Sequence, residues 1–481
     1  MPTTVVIQPV TRIEGHAKVT IRLDDAGNVD TARVNVIELR GFEKFCLGRP
    51  VEDLPRITPR ICGVCPWSHH LASAKACDVV FGVEPPPAGK KLRELCNSIA
   101  FMEEHILHFY ILAAPDFLLG PDAPYSVRNV IGILQAAPEV AQRVVKVRHM
   151  CAKMLEVLAG KPIHPQAAVP GGFSRPLAPA ERDQLRKQAD EALEFAKFSI
   201  AFAKENIFPK YLDVVKSLGV ITTGFLGTVT DGGAFNLYDG KLRLMAPNGT
   251  YQDFPVERYT DYIAEHVESW SYLKFPYAKQ WGEGFSMDAE NPKGIYRTNT
   301  LARINVCDFI DTPLAQAELV EFRAKFGRPA QLTLLYHWAR LIELLYNAEN
   351  TIRLLDDPDI VSTETRVKVT PRAARGVGVT EAPRGTLIHD YTTDADGLIT
   401  NVNLIVGTTH NNAPINMSVT QAARSLIHDG KYDQGVLNRV EMSIRAYDPC
   451  LSCATHRLDG KFAVKLDILG ADGKLLDTLA N

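Results

Sequence analysis

The sequence predicts an α+β fold that is mainly helical, with a central bundle of long helices, an N-terminal antiparallel sheet and further small strands. Apolar residues recur every three or four positions over much of residues 86–215 and again at about 328–356, as in helices that bury one face. Residues 4–40 instead alternate and are rich in β-branched side chains, and strand patterns return in the last third. With 46% hydrophobic residues in 481, the chain can bury a large core as two or three domains or as one large elaborated domain.

The charge balance and composition argue against several classes of function. The chain carries 53 Lys and Arg residues against 56 Asp and Glu residues, which leaves no basic footprint for nucleic acid. No apolar run is long enough to span a bilayer, and the chain does not open with a basic segment followed by an apolar one. We therefore expect a soluble protein without its own export signal, whose partners are small molecules or other proteins.

The nine cysteines are too sparse for a disulfide scaffold in a chain of this length, and their number is odd. We therefore expect a reducing compartment with free thiols. Five of them stand singly among apolar or helical neighbours and are interpreted as small buried hydrophobic residues: Cys46, Cys77, Cys96, Cys151 and Cys307.

The N-terminal segment is predicted to be an antiparallel sheet. Its alternating runs lie at 5–7, 17–23 and 32–37. The turn at 25–28 has hairpin chemistry, whereas the turn at 11–16 places Arg12 and Glu14 between the first two strands. On local sequence alone, these two residues predict a surface salt bridge beside a turn.

The first cysteine pair, Cys62 and Cys65, precedes a run of helical propensity that begins after Pro66. We expect the pair at or near a helix N-terminus, where the helix dipole favours thiolate over thiol, as metal binding requires. His69 lies one helical turn beyond Cys65 and is a candidate to donate a hydrogen bond to its sulfur. A packed or surface histidine is the alternative.

Three long helices are predicted next, at 92–112, 139–158 and 178–206. The first is expected to stop at Pro115. His105 and His108 share one face of it, with Glu104 four residues before His108. Because the Glu-x-x-His spacing of di-iron bundles is absent, we interpret both histidines as core or bundle-lining residues.

The middle of the chain, residues 216–310, is predicted to be an irregular α+β excursion on the bundle surface. It contains short strands and turns but few long periodic runs, and helices return at 312–326 and about 328–356. Gly376 and Gly378 lack the third glycine and the following helix of a dinucleotide fingerprint. No nucleotide cofactor is therefore expected on this chain.

The last third of the chain carries a second cysteine pair. Two predicted strands flank a rigid turn at 382–385 that projects Arg384, and a helix at about 434–446 leads to Cys450 and Cys453. His456 follows closely, and alternating residues at 462–468 predict a small extra hairpin.

Together the two cysteine pairs predict one metal site, provided that they meet in space. Two residues between cysteines bring both sulfurs within reach of one cation, and two such pairs supply the four thiolates of a soft-metal site. A histidine close behind each pair makes the pattern more specific. A redox dithiol or a chance spacing is the alternative.

Several separate motifs are spread over essentially the whole chain. They are Pro9-Val10-Thr11-Arg12-Ile13-Glu14-Gly15-His16, Arg40-Gly41-Phe42-Glu43, Arg60-Ile61-Cys62-Gly63-Val64-Cys65 with His69, Glu381-Ala382-Pro383-Arg384-Gly385, Thr408-Thr409, and Asp448-Pro449-Cys450-x-x-Cys453-x-x-His456. With these motifs the chain resembles the large, catalytic subunit of a nickel-iron hydrogenase. The related respiratory quinone-reductase subunit shares the fold but lacks the four cysteines, so their presence decides against it. The resemblance implies one large domain and the reversible cleavage of H2 to protons and electrons.

The resemblance also implies a role for each of the four cysteines. It makes Cys62 and Cys450 terminal ligands of nickel, and Cys65 and Cys453 thiolates that bridge nickel to iron. The remaining iron ligands, carbon monoxide and cyanide, are not protein groups. Soft thiolates that leave an open position suit a metal pair at which H2 splits heterolytically while a base takes the proton.

Other residues acquire roles through the same resemblance. The terminal thiolate of Cys450 becomes the base and Glu14 the first proton relay toward solvent, which replaces the surface salt-bridge interpretation. Arg384 resembles the arginine held over the open face of the metals, where a fixed cation polarises hydrogen or orients the diatomic ligands. Thr408 and Pro383 are implied to line the pocket around the cyanides.

A second ion is implied near the C-terminus. Glu43 and His456, with a backbone carbonyl near Leu404, resemble the ligands of a magnesium or iron ion that ties the C-terminus into the core. Residues 457–481 then resemble a tail that a maturation protease removes once nickel is inserted.

The resemblance further implies partners, because the chain has no other cysteine cluster for an iron-sulfur centre. Electrons would pass to an iron-sulfur small subunit docked over the metal site, and onward to heterodisulfide reductase-type or diaphorase-type subunits. Residues 113–117, 162–165 and 334–340 are most similar to the cytoplasmic group, whose enzymes are coupled to heterodisulfide reductase, deazaflavin or NAD. We favour the F420-non-reducing type and a cytoplasmic location.

Within a single domain of residues 1–481, the expected parts follow the order of the chain. They are an N-terminal sheet and loop (1–60), the first ligand pair and helical bundle (61–215), the irregular excursion (216–310), helices, strands and the second ligand pair (311–456) and the processing tail (457–481).

The alternative from a different class is a non-catalytic protein whose four cysteines hold a structural zinc ion. It explains four thiolates but leaves Glu14, Arg384 and the tail without a role.

Overall fold

Long helices form the centre of the computed structural model, which describes residues 3–455, 465–469 and 475–480. The helices are α1 Phe42–Cys46, α2 Leu54–Ile57, α3 Pro66–Phe81, α4 Pro87–Ile106, α5 Ala114–Leu118, α6 Val130–Ala136, α7 Pro138–Ala159, α8 Pro179–Asn206, α9 Leu212–Ser217, α10 Tyr259–Tyr262, α11 Thr300–Val306, α12 Pro313–Phe326, α13 Tyr336–Asp356, α14 Gly407–His410, α15 Asn412–Leu426, α16 Gln434–Ala446 and α17 Leu451–Ala454. Helices α4, α7, α8 and α13 pack against one another and bury their apolar faces in the main core. The predicted α+β, mainly helical class is confirmed.

Small sheets surround this bundle. The strands are β1 Thr4–Ile7, β2 Ala17–Leu23, β3 Val29–Val36, β4 Ala168–Val169, β5 Gly172–Phe173, β6 Gly224–Val229, β7 Lys241–Met245, β8 Tyr251–Phe254, β9 Ile263–His266, β10 Phe275–Ala278, β11 Tyr296–Arg297, β12 Arg375–Ala382, β13 Gly385–Thr393, β14 Ile399–Ile405, β15 Lys465–Leu469 and β16 Leu475–Ala480. The sheet orders are β1-β2-β3, β4-β5, β11-β6-β7-β8, β10-β9, β12-β13-β14 and β15-β16.

The predicted N-terminal antiparallel sheet is present. Val19 of the central strand lies opposite Ile7 on one side and Val34 on the other, and all three side chains are buried. Helix α15 covers the outer strand, where the Val34 N–H donates to Oδ1 of Asn416 at 2.8 Å. This contact ties the start of the chain to a helix near its end.

Two helix boundaries differ from the expectation. Helix α4 ends at Ile106, a π-helical turn spans Leu107–Ala113, and α5 then begins with Pro115 in its first turn. Proline is tolerated there because the first N–H groups of a helix have no partner within it. The helix expected from about residue 328 starts at Tyr336, after a 3₁₀ turn at Thr333–Leu335.

The C-terminal sheet positions the second half of the site. β12 and β13 are joined by the tight turn that carries Arg384, and β12 packs against α3. Residues 465–469 and 475–480 pair as an antiparallel hairpin, as the alternating residues near 462–468 predict.

None of the described helices is long and apolar enough to cross a membrane. The five-part division of the chain stays a prediction.

Candidate metal centre

Each cysteine pair lies where the backbone changes direction at a helix start. Cys62 directly follows a 3₁₀ turn, and Cys65 is the residue that precedes α3, with Pro66 in the first helical position. Cys450 likewise precedes α17, which contains Cys453. The expectation that the first pair lies at a helix N-terminus is met, so the dipole of α3 favours negative charge on its sulfurs.

The four sulfurs meet in one buried cluster. All of them lie within 4.8 Å of one another. The Sγ–Sγ distance is 3.3 Å from Cys62 to Cys450, 3.3 Å from Cys65 to Cys453 and 2.7 Å from Cys450 to Cys453. The four residues are at most 7% exposed. Two pairs almost four hundred positions apart therefore form one four-sulfur site.

The chemistry of this donor set calls for a soft cation. Burial raises the pKa of Cys453 and Cys450 well above the ordinary value of a thiol, whereas hydrogen bonds from Cys450 and its neighbours lower that of Cys62. Four buried thiolates cannot persist side by side without a positive charge among them. A thiolate-bound metal supplies that charge, so the residues present fit such a group.

Glu14 is fixed to the second pair by its own backbone. Its N–H donates to the Pro449 carbonyl at 3.3 Å, and its carbonyl accepts from the Leu451 N–H at 3.1 Å. The side chain accepts from the Ser452 N–H at 3.2 Å. Burial raises the pKa of Glu14, with the negative charge of Cys62 acting in the same direction.

A further carboxylate continues from Glu14 toward solvent. The Ser452 hydroxyl donates to Oε2 of Glu38 at 2.9 Å, and the other oxygen of Glu38 contacts the ring of His16. The His16 side chain is 69% exposed. Glu14, Ser452, Glu38 and His16 thus form a polar path from the sulfurs to the surface.

Arg384 lies between two acidic side chains. Its Nη1 donates to Oε2 of Glu104 at 2.9 Å, and its Nε is 3.1 Å from Oδ1 of Asp448. The arginine is 3% exposed. Burial raises the pKa of Glu104 to about 8, and the positive charge of Arg384 opposes this rise.

The sequence interpretation missed both of these carboxylates as functional residues. In the sequence, Glu104 stands out only as a neighbour of His108 on a core helix. Asp448 stands two residues before Cys450, at a positive φ of 51°, and its place in the motif of the second cysteine pair is the signal that points to it. The two carboxylates make Arg384 a fixed cation.

Thr408 contacts the second cysteine pair, Pro383 precedes Arg384, and His69 lies on the helix that begins after the first cysteine pair. The Thr408 hydroxyl oxygen accepts from the Cys450 N–H at 2.8 Å. The Pro383 carbonyl accepts from Arg303 at 3.3 Å. His69 is buried, its Nδ1 is 3.2 Å from Nε2 of His389, and burial lowers its pKa to about 4. Its donation to the Cys65 sulfur stays a prediction.

Glu43, a predicted ligand of the second ion, lies among the residues that the structure describes. Its Oε1 accepts from the Leu404 N–H at 2.8 Å and lies 3.5 Å from Nζ of Lys274. His456 lies outside the described residues. His105 and His108 are fully buried and bind Glu343 and the Arg445 carbonyl, as expected of bundle-lining residues.

The fold and the four-sulfur cluster define a thiolate metalloprotein, and comparison with known proteins makes its family specific. The model of the nickel-dependent hydrogenase family matches residues 40–126 and 311–456, and a HoxL-like model matches residues 4–39. The chain is 46% identical to a subunit of the vhu F420-non-reducing hydrogenase of Methanococcus voltae, over 88% of this chain and 99% of that relative. It is 38% identical to the beta subunit of the NAD-reducing hydrogenase HoxS of Cupriavidus necator, over the full length of both chains.

Solved structures agree with these relatives. An NAD+-reducing nickel-iron hydrogenase in the H2-reduced state superposes with a TM-score of 0.89 at 42% identity, covering 94% of this chain and 99% of that one. A nickel-iron-selenium hydrogenase from Desulfovibrio vulgaris Hildenborough gives 0.76 at 26% identity, covering 95% and 100%. The chain therefore belongs to the nickel-dependent hydrogenase family, as a large, catalytic subunit of the nickel-iron type. A non-catalytic zinc protein is not favoured.

Proposed function

We propose that the four sulfurs hold a nickel-iron centre, with Cys62 and Cys450 as terminal nickel ligands and Cys65 and Cys453 as bridges to iron. The observation that carries this proposal is the buried cluster of four sulfurs within 4.8 Å of one another. When bound, such a centre supplies a Lewis-acidic metal at which H2 is split and its electrons are taken up. Carbon monoxide and cyanide would complete the iron coordination, and Thr408 and Pro383 would line the pocket around them.

Residues of this chain would accept and carry away the proton released from H2. We propose that the Cys450 sulfur accepts it and that Glu14 carries it away. Support comes from the backbone bonds that fix Glu14 beside the second pair and from the burial that raises its pKa. Ser452, Glu38 and His16 offer a continuation to solvent.

Arg384 serves as the fixed cation of the reaction. Because two carboxylates hold its guanidinium, it keeps one orientation, and a preorganised charge needs no reorganisation as H2 polarises. We propose that it polarises H2 or orients the diatomic ligands.

A magnesium or iron ion is proposed at Glu43, His456 and a backbone carbonyl near Leu404. The buried carboxylate of Glu43 supports this assignment. Lys274 Nζ lies 3.5 Å from the same carboxylate, so the ion would have to displace this positive charge. The ion would join the segment after the second cysteine pair to the core.

The partners are proposed from the family and its relatives. An iron-sulfur small subunit takes the electrons, and heterodisulfide reductase-type or diaphorase-type subunits carry them on. The two named relatives are subunits of an F420-non-reducing and an NAD-reducing hydrogenase, which supports a heteromeric complex. A cytoplasmic location is part of the proposal. A maturation protease is proposed to remove residues 457–481.

Nickel retention tests the ligand assignment. Cys62→Ser and Cys450→Ala each remove one thiolate, so nickel in the purified protein should fall close to zero. Cys151→Ala is the matched control, because Cys151 is equally buried but lies away from the cluster, and its nickel content should stay normal. Stoichiometric nickel in Cys62→Ser would contradict the assignment.

A further inference from the structure

The turn that carries Arg384 is held by another buried arginine. Arg303 lies on α11 and is 1% exposed. Its Nη1 donates to the Ala382 carbonyl at 2.9 Å, and its Nη2 donates to the Pro383 carbonyl at 3.3 Å. These two carbonyls belong to the residues directly before Arg384. Arg303 therefore holds the peptide units from which the Arg384 side chain starts.

Two buried carboxylates fix the guanidinium of Arg303. Its Nε and Nη2 each donate to an oxygen of Glu343 at 2.7 Å, and its Nη1 donates to Oε2 of Glu381 at 2.8 Å. With the two carbonyls, these bonds use all five N–H donors of the side chain. Burial raises the pKa of Glu343, but pairing with Arg303 outweighs burial and leaves that pKa below its ordinary value. The bidentate contact is thus a true ion pair.

The same carboxylate connects this arrangement to α4, which also carries a partner of Arg384. His105 Nε2 lies 2.9 Å from Oε2 of Glu343. The residue before it, Glu104, accepts from Arg384 Nη1 at 2.9 Å. The start of the Arg384 side chain and the carboxylate at its far end are therefore both tied to one buried network.

Two glycines leave the turn no free space. A Cβ on Gly385, which has φ +133°, would lie 2.2 Å from Oγ1 of Thr298. A Cβ on Gly407 would lie 2.5 Å from the Arg384 carbonyl oxygen. Because the turn is packed this closely, it cannot relax when the hydrogen bonds of Arg303 change. Such a change therefore moves Arg384.

We propose that Arg303 is a positioning residue for the reaction, because its bonds to the Ala382 and Pro383 carbonyls keep the Arg384 guanidinium between Glu104 and Asp448. The proposal rests on the role assigned to Arg384 above. Arg303 has no donor left for the cysteines, so it acts through the turn. A lysine cannot replace it, since three donors on a flexible stem do not match five fixed acceptor contacts.

Arg303→Lys in the assembled enzyme tests the proposal. A crystal structure should show the distance from Arg384 Nη1 to Glu104 Oε2 lengthened by about 1 Å, and H2 turnover should fall about 100-fold, as expected for such a misplacement. Nickel content should equal that of the wild type. Glu343→Gln, which keeps the shape of the acceptor but removes its charge, should shift Arg384 in the same way with a smaller loss, and it serves if Arg303→Lys does not fold.

Arg297→Lys is the matched control. Arg297 is also fully buried, and its guanidinium binds Thr223, Ile221 and Gln331 rather than the turn. This variant should keep both the distance between Arg384 and Glu104 and the turnover.

An unchanged distance in Arg303→Lys would overturn the proposal, and so would a loss of turnover no larger than in Arg297→Lys. Loss of nickel from Arg303→Lys would also overturn it, because the residue would then serve assembly. Arg384→Lys separates this proposal from the one on which it rests. Normal turnover in Arg384→Lys would reject the role of Arg384, whereas inactivity there with normal turnover in Arg303→Lys would reject only the positioning role.

Discussion

The balance of charge around four buried sulfurs determines what each neighbouring residue does. Arg384 is held between Glu104, which accepts a hydrogen bond from it, and Asp448, and this fixes the position of its charge. Burial and the nearby thiolate charge raise the pKa of Glu14, and the charge of Arg384 offsets this rise only in part. A raised pKa lets a carboxyl group give and take protons near neutrality, which a relay requires.

Glu14→Gln tests this relay. The amide keeps the shape and can accept the Ser452 N–H bond, but it cannot carry a proton, so exchange between H2 and deuterated water should fall at least about 100-fold. Glu14→Asp keeps a carboxyl group and should retain part of the activity. Nickel content should be unchanged in both variants. Normal exchange in Glu14→Gln would reject the relay role.

The sequence alone indicates the metal ligands and the proton relay, but not the residues that hold Arg384 in place. Cys62, Cys65, Cys450 and Cys453 are recognisable by spacing, and Glu14 and Arg384 stand in motifs that a family resemblance identifies. Glu104 and Arg303 lie far from Arg384 along the chain and resemble any other charged residue on an apolar helix. Their role arises only from tertiary packing, so a single sequence cannot indicate it.

At the scale of elements, the site depends on how closely α3 approaches β12. Helix α3 begins at the first cysteine pair, and β12 leads into the turn with Arg384. A Cβ on Gly376 would lie 2.4 Å from the Ala76 carbonyl oxygen, and a Cβ on Gly378 would lie 2.2 Å from that of Ala72. The two glycines, which are not part of a dinucleotide fingerprint, permit this contact.

Gly378→Ala should force the two elements apart. The added methyl group meets backbone atoms that cannot move independently, so the free energy of unfolding should fall by about 1–3 kcal/mol. Thermal unfolding measures the change. Gly232→Ala is the control, because a Cβ there has its nearest neighbour at 3.9 Å, and its stability should stay within about 0.5 kcal/mol of the wild type. Equal melting temperatures for the two variants would show that the contact is not tight.

Periodicity predicted most elements but could not reveal one backbone detail. The apolar spacing that predicts a helix at 92–112 continues through the π-helical turn at Leu107–Ala113, because most side chains there remain buried. A change in the hydrogen-bond pattern of the backbone leaves little trace in the pattern of side chains. The side-chain pattern therefore predicts one helix that continues to Pro115, whereas α4 ends at Ile106.

At the scale of the whole molecule, the two ends of the described chain close the site together. The Glu14 segment pairs with the Cys450 segment through two backbone hydrogen bonds, and the N-terminal sheet packs on α15. The class of fold follows from periodicity, but this closure does not. The closure depends on contacts between residues more than four hundred positions apart, and no local sequence pattern indicates how those segments pair.

Buried neutral histidines make the stability of the whole molecule depend on pH. His70 donates from Nδ1 to the Pro55 carbonyl at 2.6 Å and accepts the Ala168 N–H at Nε2 at 2.9 Å, so its folded form is neutral. Burial lowers its pKa from 6.5 to about 4. As pH falls between these values, the unfolded chain binds a proton that the folded chain does not. The stability present above about pH 6.5 is therefore lost toward pH 4, by up to about 3 kcal/mol from His70.

The melting temperature measured from pH 7 to about pH 4.5 tests this dependence. It should fall as pH falls, and His70→Gln should show a shallower fall, since glutamine can make both hydrogen bonds but does not titrate. An identical slope in the two proteins would mean that His70 is not held neutral.

The most direct test of the central claim is the metal content of the purified complex, determined together with its infrared spectrum. We predict nickel in equal amount to the chain, accompanied by iron and by the absorption bands of carbon monoxide and cyanide. Zinc in equal amount to the chain, with no such bands, would contradict the assignment of the four sulfurs to a nickel-iron centre.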